Sequence, residues 1–190
     1  MRQPSVRSDL PSQAVSDHEL SDQGLCQHWV PVYVGLGSNL NEPSEQVALA
    51  LRELEVLPNT RLVAVSGLYG NPPMGPQDQP DYINAVAGLL TRKTAMELLL
   101  LLQSLEHQLG RVRSEGDRWG PRIIDLDLLV YGQSQISVPG LNLPHPGILE
   151  RNFVLFPLRD IAPSLMVPGQ GVVSTLAQQV GAVGLQQIKE

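Results

Sequence analysis

The run Ile123-Ile124-Asp125-Leu126-Asp127-Leu128-Leu129-Val130-Tyr131 constrains this chain more than any other, because it embeds two carboxylates in an apolar stretch of strong strand character. Strand side chains alternate between faces, so Asp125 and Asp127 point the same way. Two like charges side by side on an apolar strand repel, and burial makes each harder to keep ionised. The pair therefore calls for a cationic partner. Arg111, Arg113, Arg118 and Arg122, just upstream, are candidates, yet the same arginines suit a polyphosphate. Magnesium between carboxylates and phosphates, with arginines on the phosphates, satisfies all of these charges at once. The pattern points to a phosphoryl-transfer site. The competing reading places both aspartates on a solvated strand face and pairs the arginines with Glu115 and Asp117, which contributes little to stability. The neighbourhood Arg118-Trp119-Gly120-Pro121-Arg122 favours the site.

Bulk properties narrow the partners. A chain of 190 residues holds one domain with a full core and a tail. Aromatic content of 4% leaves few rings to stack on bases, and a net charge of −6 does not advertise a nucleic-acid or anionic-membrane surface. Within this acidic chain, four of the 13 Lys and Arg residues fall in 111–122, which suggests a small anionic ligand. The single cysteine, Cys26, rules out an internal disulfide and suits a reducing compartment. The longest apolar run, Leu98–Leu102, is too short to span a bilayer. The first residues lack a signal pattern, and Asp9, Asp17, Glu19 and Asp22 argue against a transit peptide. The expectation is a soluble, cytoplasmic, monomeric protein acting on small molecules, with neither nucleic acid nor membrane as partner.

Residues 1–28 are polar and aperiodic and read as a disordered extension, leaving 29–190 as the domain. Order is expected from Trp29, where Val30, Val32 and Val34 begin a strand. Gly35-Leu36-Gly37-Ser38-Asn39 resembles a phosphate-cradling turn but lacks the lysine and spacing of one, and reads as a tight strand-to-helix turn. Pro43 suits a first helical turn, and Val47, Ala50, Leu51 and Leu54 carry that helix to about Leu57. Strands follow at Leu62–Leu68 and Tyr82–Leu90, separated by a Pro- and Gly-rich loop over 70–81. Thr94 and Glu97 match a capping box, so a second helix is expected from Thr94 to Leu109, with Gly110 as its stop. A polar loop over 110–121 leads into the aspartate strand. A short hairpin after Gly132 and helical pieces near 148–160 and 173–180 complete the chain. The order β-α-β-β-α-β is the ferredoxin-like α+β arrangement: an antiparallel sheet with both helices on one face, the other left for loops and ligand.

Further residues fit the same site. Pro144 and Pro146 hold His145 in a stiff segment, where its ring can contact a phosphate or leaving group; a solvated surface histidine is the alternative. Arg151 is placed to reach the same anion. Asn84 on a strand presents both a donor and an acceptor to a planar heterocycle, on which Trp119 or Phe153 can stack. A surface loop with core aromatics explains that segment equally well.

Assembled in order, these motifs resemble the 6-hydroxymethyl-7,8-dihydropterin pyrophosphokinase family. The resemblance is carried by GLGSNL at 35–40, NPPMGPQDQPDYIN at 71–84, GRVR at 110–113, RWGPRIIDLDLLVYG at 118–132, LPHP at 143–146, Arg151 and FVLFPL at 153–158. It implies transfer of pyrophosphate from ATP to the pterin hydroxymethyl group, releasing AMP. It also implies two Mg2+ ions on Asp125 and Asp127 as the metal site, with Arg111 and Arg122 acting on the phosphates during transfer. Arg113 and Arg118 then correspond to lid arginines on ATP, with Gln103, Glu106, Trp119, Arg122, His145 and Arg151 as further nucleotide contacts. Asn71, Pro72, Met74, Tyr82, Asn84, Trp119 and Phe153 correspond to the pterin pocket, its ring held between the two aromatics. The chain departs from the family pattern at Ser114, Glu115 and Asp117, and at Gly147. Two other classes compete: a non-catalytic ferredoxin-like binding module, and a nucleotidyl- or nucleotide-sugar transferase using the same Asp-x-Asp.

Overall fold

The computed structural model of the protein describes residues 25–111 and 120–189. In chain order its elements are β1 (Leu25–Ser38), α1 (Pro43–Glu55), β2 (Thr60–Val65), β3 (Tyr69–Asn71), β4 (Tyr82–Lys93), α2 (Ala95–Gln108) and β5 (Asp125–Tyr131). There follow the hairpin β6 (Ile136–Val138) and β7 (Leu141–Leu143), α3 (Asn152–Ile161), the pair β8 (Met166–Val167) and β9 (Gly171–Val172), α4 (Val173–Val180) and β10 (Gln186–Gln187).

The main sheet is antiparallel throughout, in the order β10-β3-β4-β1-β5, with β2 also paired to β4. Stripped of β3 and β10, the core is β2-β4-β1-β5, and each helix crosses over an intervening strand. That is the expected ferredoxin-like split βαβ. β4 is long enough to take two partners along one edge, β3 beside Tyr82–Asn84 and β2 beside Ala87–Thr91. Short β3 falls where the expected strand gives way to the 70–81 loop, and β10 in a C-terminal stretch for which no element is expected.

Local chemistry explains both helix starts. Thr94 accepts the Glu97 backbone N–H while Glu97 accepts the Thr94 backbone N–H, so the expected capping box forms. Gly110 ends the run with φ +94°, a conformation open to glycine. α1 has no side-chain cap and opens instead on Pro43, whose missing N–H would be unsatisfied there anyway.

β1 begins at Leu25 rather than Trp29, because the far end of β4 offers a partner: Leu25 pairs with Lys93. The remainder of the expected extension, residues 1–24, lies outside the described residues. Trp29 takes two cation–π neighbours, the guanidinium carbons of Arg61 at 4.5 Å and Arg92 at 5.6 Å from its ring centre.

One core lies between the sheet and α1 and α2, built from Val34, Leu36, Ala87, Leu126 and Leu128 against Leu54, Leu98 and Leu102. The opposite face departs from expectation. α3 and α4 cover half of it, packing Leu155, Leu158, Val173 and Leu176 on Val86, Leu129 and Val130. A bulge is the reason. Val34 pairs with Leu128 but Tyr33 pairs with Val130; Leu129 follows Asp125 and Asp127 onto the second face by alternation, and the register shift turns Val130 to that face beside it. That apolar patch needs cover, and only the other half of the face stays open. No helix among the described residues is long and apolar enough to cross a membrane.

Candidate active site

The open half of the sheet forms a cleft of about 580 Å³. Its floor is β1. Gly37 pairs with Asn84 on one side and Asp125 on the other, and Gly35 pairs with Val86 and Asp127. The Gly-Leu-Gly-Ser segment is thus the end of a central strand, not the tight turn expected from its glycines. Missing side chains make the floor: a Cβ on Gly37 would stand 3.1 Å from Asn84 Oδ1, and one on Gly35 would stand 3.4 Å from Leu129. Asp125 and Asp127 both face the cleft, with Leu126 and Leu128 turned to the core, as a period of two requires.

The two carboxylates differ in surroundings. Asp125 Oδ1 accepts from Arg111, and Oδ2 accepts from Arg122 Nη1 at 2.5 Å. Burial alone would raise the Asp125 pKa, but Arg111 and Arg122 outweigh it and hold the carboxyl below its ordinary range. Asp127 has a weaker escort, Arg151 Nη1 at 3.1 Å and His145 Nε2 at 3.8 Å from Oδ2. Burial and the charge on Asp125 push its pKa up despite those neighbours. Burial likewise lowers the His145 pKa, against the pull of Asp127. His145 Nδ1 accepts the Gly147 backbone N–H at 3.0 Å, which leaves Nε2 toward Asp127. Gly147 also seats Arg151: a Cβ there would lie 2.8 Å from the guanidinium Nε.

Glu106, only 2% exposed at the end of α2, accepts from Arg111 and from the Leu126 backbone N–H at 2.8 Å. Its carboxylate is spent inside the protein, tying helix, arginine and aspartate strand together. Gln103, one turn earlier, lines a smaller cavity of about 240 Å³ beside Asp127, Asn142 and His145.

Across the floor, Asn84 Nδ2 donates to Asn71 Oδ1 at 2.5 Å and Tyr82 donates its hydroxyl to the Gly120 carbonyl at 3.0 Å. Burial raises the Tyr82 pKa against the opposing Arg122, whose guanidinium carbon lies 6.0 Å from the ring centre. Met74, 53% exposed, and Phe153 at the start of α3 line the same end, with Pro72 exposed beside them. Arg113, Arg118 and Trp119 lie outside the described residues.

Sequence reasoning missed Asn39. It is 1% exposed, accepts the Arg122 backbone N–H at 2.8 Å on Oδ1, and donates from Nδ2 to Gln79 Oε1 and the Pro80 carbonyl, both at 3.1 Å. It links the start of the aspartate strand to the 71–81 loop. A polar Asn directly after the Gly-Leu-Gly-Ser end of an apolar strand was the available signal.

Comparison with known proteins agrees with this geometry. Residues 33–163 match the family model described as 7,8-dihydro-6-hydroxymethylpterin-pyrophosphokinase (HPPK). The chain is 52% identical over 137 residues to the 2-amino-4-hydroxy-6-hydroxymethyldihydropteridine pyrophosphokinase of Pseudomonas aeruginosa, covering 72% of this chain and 83% of that protein. To the Haemophilus influenzae protein of the same name it is 45% identical over 150 residues, covering 79% and 92%. A Plasmodium falciparum HPPK-DHPS crystal structure with pteroate superimposes with a TM-score of 0.65 at 10% identity. That alignment covers 86% of this chain and 47% of the longer one, a likeness of fold. Fold and relatives together define a pyrophosphoryl transferase. The chain belongs to the 7,8-dihydro-6-hydroxymethylpterin-pyrophosphokinase family. It transfers a pyrophosphoryl group to hydroxymethyldihydropterin, a step of folate biosynthesis.

Proposed function

We propose that ATP is the donor and that Asp125 and Asp127 hold two magnesium ions against its phosphates. The observation that carries this reading is the unequal state of the two carboxylates. Asp125 is already matched by Arg111 and Arg122, whereas Asp127, pushed up by burial and by its neighbour's charge, faces the cleft short of positive charge. Carboxylate and phosphate oxygens are the donors a hard divalent cation takes. When bound, magnesium supplies charge neutralisation across the phosphate oxygens.

The protein's own groups do the rest by position and charge. Arg111 and Arg122, held at the aspartate strand, turn to the transferred phosphates, where each guanidinium fork matches two oxygens. Arg151 and His145 serve the nucleotide side with Gln103; Glu106 serves it by holding Arg111. Arg113, Arg118 and Trp119 serve the nucleotide as the family resemblance implies. The pterin lies between Phe153 and Trp119, its edge met by Asn84, with Asn71, Pro72, Met74 and Tyr82 as the wall. Its hydroxyl attacks the ATP β-phosphorus in line, forming one P–O bond as the bond to the departing AMP breaks, and its proton passes to solvent. No described side chain stands as an obvious general base, which suits a reaction governed by positioning and electrostatics. The net charge of −6 disfavours nucleic acid as a partner and the single cysteine suits the cytoplasm, where the protein acts on these small molecules as a monomer in this reading.

The test is Asp127→Ala supplied with the pterin alcohol and Mg-ATP. AMP formation is expected to fall by roughly two orders of magnitude or more; a rate near wild type removes Asp127 from the mechanism. Arg122→Ala is expected to keep the fold and lose transfer. Loss of thermal stability alone would make Arg122 structural.

A further inference from the structure

Residues 181–188 lie past the span matched by the family model, which ends at 163, and the last three of them run along the outer edge of β3. Their contacts go to the two elements that wall the pterin end of the cleft. β10 pairs with β3 through Gln186↔Gly70 and Gln187↔Tyr69, and Ile188 donates its backbone N–H to the Leu68 carbonyl at 2.9 Å. At the other end of the segment, Asn152 Nδ2 donates to the Val183 carbonyl at 2.9 Å. Asn152 is the first residue of α3 and directly precedes Phe153. Between these ties Gly184, at φ +72°, lies close to Pro72; a Cβ there would meet the ring carbons at 3.6 Å.

We infer that this C-terminal strap is a positioning element for the pterin pocket, fixing the distance between β3 and the first turn of α3. The inference rests on the proposed placement of the pterin beside Asn71, Pro72 and Phe153. β3 has three residues, and a strand that short at a sheet edge opens locally at little cost. With β10 on its free side it becomes an interior strand. Its last residue, Asn71, takes the Asn84 amide proton and so sets which atom Asn84 turns to a ligand. Asn84 Nδ2 also points to the Tyr69 carbonyl at 3.4 Å, leaving Oδ1 toward Gly37 and the cleft as an acceptor for a heterocycle N–H. Movement of β3 would therefore disturb both the shape of the pocket and the polarity of its recognition group.

The experiment compares Ile188→Pro, which removes the N–H given to Leu68, with Asn152→Ala and the double variant in the full chain. Alanine favours the helix at that half-buried position, so a loss there is not a helix defect. Each single variant is expected to raise KM for the pterin alcohol by about two- to tenfold, the net worth of one hydrogen bond, and the double variant by more. kcat and KM for Mg-ATP should stay within about twofold of wild type. A double variant with unchanged pterin KM, or with both KM values rising in parallel, overturns the inference. Phe153→Ala separates the two levels. If it leaves pterin KM unmoved, the pocket assignment falls and the strap's role with it; if it raises KM while the double variant does not, the strap alone is refuted.

Discussion

Glu106→Gln tests the buried tie between α2, Arg111 and the aspartate strand. The same Glu106 oxygen, Oε1, accepts both Arg111 and the Leu126 N–H, the latter at 2.8 Å, so glutamine keeps an acceptor for both but removes its charge. The contact with Arg111 then falls from a charge-assisted bond of about 1.5–3 kcal/mol toward about 0.5–1.5 kcal/mol for a neutral acceptor. Arg111 keeps Asp125 and is not orphaned, so the expected cost is about 1 kcal/mol, or about 2–4 °C in Tm for a domain of this size. Glu106→Ala also strips the acceptor from the buried Leu126 N–H, adding about 1–3 kcal/mol. Urea unfolding followed by circular dichroism, with an unchanged m value, measures both. The reasoning is refuted if Glu106→Gln lies within about 0.5 kcal/mol of wild type, since that exceeds no ordinary surface substitution. Equal losses for Gln and Ala would refute the part assigned to the Leu126 bond.

Other outcomes follow from the same contacts. Asp127→Asn should unfold at a higher midpoint than wild type at pH 7 while losing transfer. The raised pKa means the folded state penalises the ionised acid, and the advantage should vanish as pH falls below about 4, where the unfolded carboxyl is protonated too. Asp125→Asn should behave oppositely, losing stability present above about pH 4, because its folded pKa is lowered. Gly37→Ala places a Cβ 3.1 Å from Asn84 Oδ1 and should raise pterin KM with little change in KM for Mg-ATP, read by initial rates. Thr94→Ala removes the α2 cap and should cost about 1 kcal/mol in urea unfolding without altering kcat.

What was legible in the sequence was what local physics determines. The Thr94/Glu97 box, the Gly110 stop and the shared face of Asp125 and Asp127 each depend on residues within a few positions of one another. The strand–helix order sufficed for the ferredoxin-like core. Features set by distant partners were hidden. β1 gained Leu25–His28 only because β4 continues to Lys93, and Gly35 and Gly37 read as a turn until two neighbouring strands were known. The bulge that turns Val130 beside Leu129 on the face covered by α3 and α4 is invisible in an unbroken apolar run. Glu106 came as a nucleotide-side position through the family resemblance alone; its burial follows from Arg111 and Leu126 meeting it there. The expectations for Arg113, Arg118 and Trp119 fall on residues 112–119 and stay as the sequence left them.

The bare peptide beneath the cleft has a consequence for inhibition. A flat molecule resting on Gly35 and Gly37 would meet main-chain atoms, whose chemistry no codon change can retune. Any replacement there adds bulk where the natural substrate must also lie. Escape from such a compound would have to come from the surrounding walls, so compounds that draw their affinity from the floor should leave resistance the fewest routes.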